Sequence, residues 1–198
     1  MTSYDLVIFD CDGVLVDSER ISDEVLSSLL MEAGLHMSPE EIAQKTTGLS
    51  EADSWELFEV ESGRPLPEDI STRYMSLVEE RFKTGLHPMP GALDAARFLS
   101  NAGIPICVAS SGTLEKMEVT LGITGLADYF RDKVFSVSQV SHGKPAPDVY
   151  LFAARSMGVS PNRCVVIEDS YPGAQAGIAA GMRVLGYCPD GDIWGLEG

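Results

Sequence analysis

Apolar positions recur along this chain in two rhythms. A strand is predicted over residues 4–9, where the run from Leu6 to Phe9 is apolar and stops abruptly in Asp10-Cys11-Asp12-Gly13-Val14. An apolar run of strand length, closed by acid and glycine, predicts a strand buried on both faces of a parallel sheet. The rhythm then changes. Ile21, Val25, Leu26, Leu29 and Leu30 mark one face of a helix, with Asp17 and Ser18 placed to cap it. A second, acidic helix starts at Pro39, a third carries Trp55, Leu57 and Phe58, and a fourth carries Ile70, Tyr74, Leu77, Val78 and Phe82. Trp55, Phe58 and Tyr74 are expected to form a small core of their own.

No strand pattern interrupts residues 14–85, and residues 85–91, with Pro88 and Pro90, punctuate the chain. Beyond them helix and strand patterns alternate. Helices are predicted over 92–100, 114–121, 148–157 and 174–180, and strands over 104–109, 133–137, 164–167 and 183–187. Such alternation implies crossover units and a parallel sheet. The fold class predicted is therefore α/β: a Rossmann-like parallel sheet flanked by helices, with an inserted helical cap. Residues 1–17 and 86–198 form the core domain, and residues 18–85 the cap.

Composition changes this picture little. A hydrophobic fraction of 44% and a charged fraction of 22% suit a globular protein. The first five residues lack the basic and apolar regions of a secretory signal, and no run approaches the ~18 apolar residues of a membrane span. A cytoplasmic location is expected. The net charge of −16 argues against a nucleic-acid partner or an anionic membrane surface. It does not exclude an anionic small molecule, because exposed charges beyond about 10 Å are screened by salt. Cys11, Cys107, Cys164 and Cys188 form no CxxC pair and are expected to be reduced. Cys11, between two carboxylates, is a poor nucleophile.

The predicted strand ends carry the chemistry. One ends in Asp10 and Asp12, another in Ser110 with Ser111, and a third in Glu168 and Asp169. Lys144 follows a fourth, in a loop stiffened by Pro145 and Pro147. In a parallel sheet these groups converge on one edge, outside the carboxyl ends of the strands. Carboxylates crowded at one strand tip call for a cation, and Mg²⁺ takes oxygen ligands. A lysine and a serine hydroxyl suit phosphate oxygens. An EF-hand reading of Asp10-Cys11-Asp12-Gly13 fails, because Val14 and Leu15 stand where a ligand and a glycine are required.

Four ordered motifs, FDCDGVLVDSE, the serine of VASSG, the lysine of GKPAPD and VIEDSYPGAQAG, cover nearly the whole chain. In these the sequence resembles the haloacid dehalogenase superfamily, in the subgroup with a small helical cap after the first motif. The resemblance implies Asp10 as a nucleophile forming an aspartyl-phosphate and Asp12 as general acid and base. It implies Mg²⁺ held by Asp10, the backbone carbonyl of Asp12 and Asp169, with Glu168 as ligand or supporting group. Ser110, Ser111 and Lys144 would hold the phosphate. Asp12 disfavours the dehalogenase and phosphonatase branches.

The expected activity is hydrolysis of a small phosphorylated metabolite, a sugar phosphate in the first instance. The alternative is a β-phosphoglucomutase-type phosphomutase, with a phosphoacceptor or binding domain more remote. In the cap the mutase's basic residues are absent at Ser22, Thr47 and Glu51. This favours the hydrolase and points to Thr47, Gly48, Glu51 and Ser54 as substrate-selecting positions. His36, His87 and His142 match no catalytic position of the family. Family members continue after the strand at 183–187 with another strand and a helix, for which residues 189–198 are too short. Either the sequence is a shortened one or the sheet edge is finished differently, as by another subunit, and a monomer or weak homodimer is expected.

Overall fold

The computed structural model describes residues 4–46 and 51–188. Its centre is a five-stranded, all-parallel sheet in the order β3-β2-β1-β4-β5. The strands are β1 (Leu6–Phe9), β2 (Ile106–Ser110), β3 (Val134–Ser136), β4 (Cys164–Glu168) and β5 (Arg183–Gly186). β1 pairs on both sides, Ile8 lying in register with Cys107 of β2 and Val166 of β4. Helices cover the sheet on both faces of β1, which is why its run is continuously apolar rather than alternating.

Alternate residues of the central strands feed opposite layers. Leu6, Ile8, Cys107, Ala109, Cys164 and Val166 pack with Val149, Tyr150 and Ala153 of α8 (Asp148–Ser156) and Ala176 of α9 (Tyr171–Ala179). Phe9, on the other face, meets Phe130 of α7 (Ala127–Phe130) edge-on at 5.8 Å. Helices α5 (Ala92–Asn101) and α6 (Leu114–Ile123) complete the α/β unit. The four-residue α7 and the 3₁₀ turns Val137–Gln139 and Pro161–Arg163 are too short for periodicity to reveal. α9 begins three residues before its predicted start, because Ser170 caps it by accepting from Gly173 N and a proline sits in its first turn.

The described residues fall into two compact units, one running to Asp17 and resuming at His87, the other spanning Ser18–Leu86. The helical unit contains α1 (Ser18–Glu32), α2 (Pro39–Thr46), α3 (Glu51–Ser62) and α4 (Ile70–Gly85). Trp55 packs edge-on against both Phe58, at 6.1 Å, and Tyr74, at 5.8 Å. Leu77, expected on the apolar face of α4, is instead among the exposed hydrophobics. No described helix is long and apolar enough to cross a membrane.

The strand order reverses beside β1: the chain steps outward through β2 and β3, then crosses to β4 on the other side. Open sheets of this kind place their sites at that switch point, at the carboxyl ends of the strands. α9 lies close over β4 and β5, since a Cβ on Gly177 would fall 2.6 Å from Val184 Cγ2 and 3.5 Å from Val166 Cγ2. Gly177→Val is expected to cost ~1–3 kcal/mol through overpacking, measured by urea denaturation. A change below about 0.5 kcal/mol, as for an ordinary surface site, contradicts that close packing.

Candidate active site

Asp10 sits one residue past β1, its N–H still bonded to Ile167 O at 2.9 Å, so the ladder itself fixes its backbone. The chain then turns tightly, with Leu15 N and Val16 N both donating to Cys11 O and Gly13 N to Val16 O. Gly13 has φ +77°, and a Cβ there would lie 1.9 Å from Asp169 Oδ2. Only glycine permits both the left-handed turn and the approach of that carboxylate.

Lys144 enters from the loop after β3. Its Nζ donates to Asp10 Oδ1 and to Glu168 Oε1, each at 2.7 Å, and its side chain is 5% exposed. Glu168 is wholly buried at the end of β4. Its Oε1 also accepts from Tyr150 Oη at 3.0 Å, while Oε2 accepts from Ser170 N and Ser170 Oγ at 2.8 and 2.9 Å. A Cβ on Gly173 would fall 1.6 Å from Oε1, so the first turn of α9 leaves room for this carboxylate only because residue 173 has no side chain.

These contacts divide the charges. Burial pushes Glu168 up, but Lys144 and the Ser170 donors outweigh it and bring its carboxyl below the usual value. Burial likewise pushes Asp10 up. Lys144 opposes this, Glu168 and Asp12 add to it, and the carboxyl rises from 3.8 to about 7. Burial works against the Lys144 charge, yet Asp10 and its other neighbours hold its pKa well above the ordinary lysine value. Burial keeps the Tyr150 phenol protonated and donating. Burial, then Asp12 and Asp10, raise the Cys11 thiol, which leaves it inert.

Among the described residues, carboxylate oxygens of Asp10, Glu168 and Asp169 lie within 4.8 Å of one another. Three acids against one ammonium leave the cluster short of positive charge, and an all-oxygen donor set suits a hard divalent cation such as Mg²⁺. With both Glu168 oxygens already taken, Asp10 and Asp169 are the better placed to hold one. Asp12 stands apart from this group, its Oδ1 paired with Lys116 Nζ at 2.8 Å.

Ser110 ends β2, 1% exposed, its Oγ accepting from Gly112 N at 3.1 Å. Gly112 O accepts from Ser136 Oγ at 2.6 Å, which pins this loop to β3. Ser111, beside it, is exposed. Ser54 is half-buried on α3, in the helical unit. Thr47, Gly48 and the Glu51 side chain lie outside the described residues. Lys116 and Tyr150 are the groups that sequence reasoning passed over. Tyr150 reads as one more apolar-face residue of α8, but a cation in the first turn of α6 was a usable signal.

The model of the haloacid dehalogenase-like hydrolases matches residues 4–181. 6-Phosphogluconate phosphatase of Escherichia coli K12 is 34% identical over 191 residues, 96% of this chain and 85% of that protein. Hexitol phosphatase A of the same organism is 33% identical over 181 residues, 90% of this chain and 80% of that protein. Among solved structures, a HAD family hydrolase from Deinococcus radiodurans R1 with bound phosphate and sodium superimposes with a TM-score of 0.83 at 35% identity. It covers 94% of this chain and 81% of its own. A structure described as a putative beta-phosphoglucomutase from Thermotoga maritima gives 0.80 at 28% identity, covering 96% and 89%.

The raised Asp10 carboxyl makes a prediction whose sign follows from proton binding. Between 3.8 and about 7 the folded chain keeps a proton that the unfolded chain has released. Asp10 therefore contributes less stability as pH rises through that window. In EDTA, Asp10→Asn should gain stability relative to wild type between pH 5 and pH 8, and Mg²⁺ at pH 8 should narrow the difference. Urea melts at the two pH values test this; a difference independent of pH contradicts it.

Proposed function

We propose, from the premise that this chain belongs to the haloacid dehalogenase-like hydrolases, that it is a Mg²⁺-dependent phosphatase of a small phosphorylated sugar or sugar acid. The observation that carries the reading is the buried Asp10 carboxylate, held by Lys144 beside Glu168 and Asp169, with Asp12 two residues away at the same strand tip.

Asp10 attacks phosphorus. An Asp10 O–P bond forms, the ester P–O bond breaks, and the leaving alkoxide oxygen takes a proton from Asp12. Water then attacks the phosphorus of the aspartyl-phosphate, Asp12 takes the water's proton, and inorganic phosphate leaves with Asp10 restored as carboxylate. Lys144, Ser110 and the backbone N–H groups after β2 hold the phosphoryl oxygens. Lys144 is already anchored by Glu168, so little reorganisation accompanies its engagement with phosphate. Asp10 and Asp169 would hold a divalent cation, which would supply positive charge to keep Asp10 ionised and to offset the charge of the transferring group.

The hydrolase is preferred to a phosphomutase on two grounds. The relatives named for 6-phosphogluconate and hexitol phosphates are phosphatases. In sequence, Glu51 also stands as an acid at the position that matches the mutase's cap arginine, the wrong sign for holding a second phosphate. Thr47, Gly48, Glu51 and Ser54 remain our choice for substrate selection.

Phosphate release from a panel of phosphorylated sugars, sugar acids and sugar alcohols, with Mg²⁺ and with chelator, tests the reading. Mg²⁺-dependent release from a few of them is expected. Asp10→Asn should abolish it, with a loss of at least ~10³-fold, and leave circular dichroism unchanged. Release that persists in Asp10→Asn removes Asp10 as nucleophile. No release from any compound favours the phosphomutase.

A further inference from the structure

We propose that Lys116 is a positioning residue for Asp12, tying the proton-transferring carboxylate to the phosphate-holding loop. The inference rests on the phosphatase reading above, which gives Asp12 its proton to move. Lys116 Nζ lies 2.8 Å from Asp12 Oδ1, with the two side chains 38% and 18% exposed. It sits in the first turn of α6, where unsatisfied N–H groups make the helix end positive and a cation is disfavoured. The lysine's local placement is therefore unfavourable, and the carboxylate across from it is what offsets that cost.

Hydrogen bonds define the surroundings of the pair. Lys116 N donates to Thr113 Oγ1 at 3.2 Å, so the N-cap of α6 fixes the lysine's own backbone. The other Asp12 oxygen faces Gly112, where an added Cβ would meet it at 3.4 Å and Ser110 Oγ at 3.6 Å. Gly112 is in turn pinned by Ser136. Asp12 is thus gripped on one side by α6 and bounded on the other by the loop carrying Ser110. Lys144 ties the β1 tip to β4 in the same manner that Lys116 ties it to β2 and α6.

A half-exposed ion pair contributes little to stability. Its contribution here is orientation: proton delivery needs the acid aligned with the leaving oxygen as the P–O bond breaks. Lys116 touches neither phosphorus nor that oxygen in this scheme. Its loss should therefore be felt in proportion to how much the leaving group needs a proton.

Two esters of one shape separate this role from others. 4-Nitrophenyl phosphate has a weakly basic leaving oxygen, whereas that of phenyl phosphate is more basic and depends more on Asp12. The values of kcat/KM, which cover the steps up to leaving-group departure, are measured with Mg²⁺ for wild type, Lys116→Met, Lys116→Gln and Lys116→Arg. The two neutral variants should lose roughly tenfold more on phenyl phosphate than on 4-nitrophenyl phosphate, and Lys116→Arg should recover most of it. Equal losses on both esters, or a shared rise in KM alone, would overturn the positioning role and indicate a structural or phosphate-binding lysine. A wild type inactive on these esters and on the sugar-phosphate panel overturns the phosphatase reading, and this inference with it. An active wild type with an unchanged ester ratio in the variants overturns this inference alone.

Discussion

Lys144 bridges two carboxylates in a site almost closed to water, and the rest of the α/β unit is arranged to make that bridge possible. Asp10 comes from the tip of β1, Glu168 from the tip of β4, and the lysine from the loop after β3, on the far side of β2. In so dry a place each carboxylate alone would be costly to ionise, and removing one partner of such a cluster typically costs ~3–5 kcal/mol. Glu168 resolves the problem for itself with hydrogen bonds on both oxygens. Asp10, with Lys144 on one oxygen and burial against it, is left as the carboxyl whose charge depends on what else enters the site. That dependence suits a nucleophile better than a structural acid.

Two missing side chains matter as much as the charges. A methyl group at Gly13 would displace Asp169, and one at Gly173 would displace Glu168. The acids reach the site because the turn after β1 and the first turn of α9 leave room for them. Ser170 serves both needs, capping α9 and donating to Glu168 through its N–H and its hydroxyl.

The strong periodic signals carried the architecture. β1 was legible because burial of both its faces under helices demands an uninterrupted apolar run, and the order of strand-end groups carried Asp10, Ser110, Lys144 and Glu168 to one end of the sheet. Short elements were not legible: α7 has four residues, and its apolar Phe130 finds its meaning only against Phe9. Leu77 follows the helical period of α4 yet is exposed, because period reports a face and not what covers it. Tyr150 and Lys116 escaped notice for a further reason. A tyrosine on an apolar face gives no sign of its contact to Glu168, and a lysine in a helix's first turn is a local anomaly whose partner, Asp12, only the long-range contact reveals.

In the mechanism we propose, the buried Asp10 carboxylate beside Lys144 is the group that becomes covalently phosphorylated. Quenching the protein with borohydride during turnover of an accepted phosphate ester reduces an acyl-phosphate to an alcohol, and peptide mapping locates it. The account predicts the reduced residue at Asp10 and at no other acid. Continued turnover with the modification at Asp12 or Asp169, or with none anywhere, would contradict it.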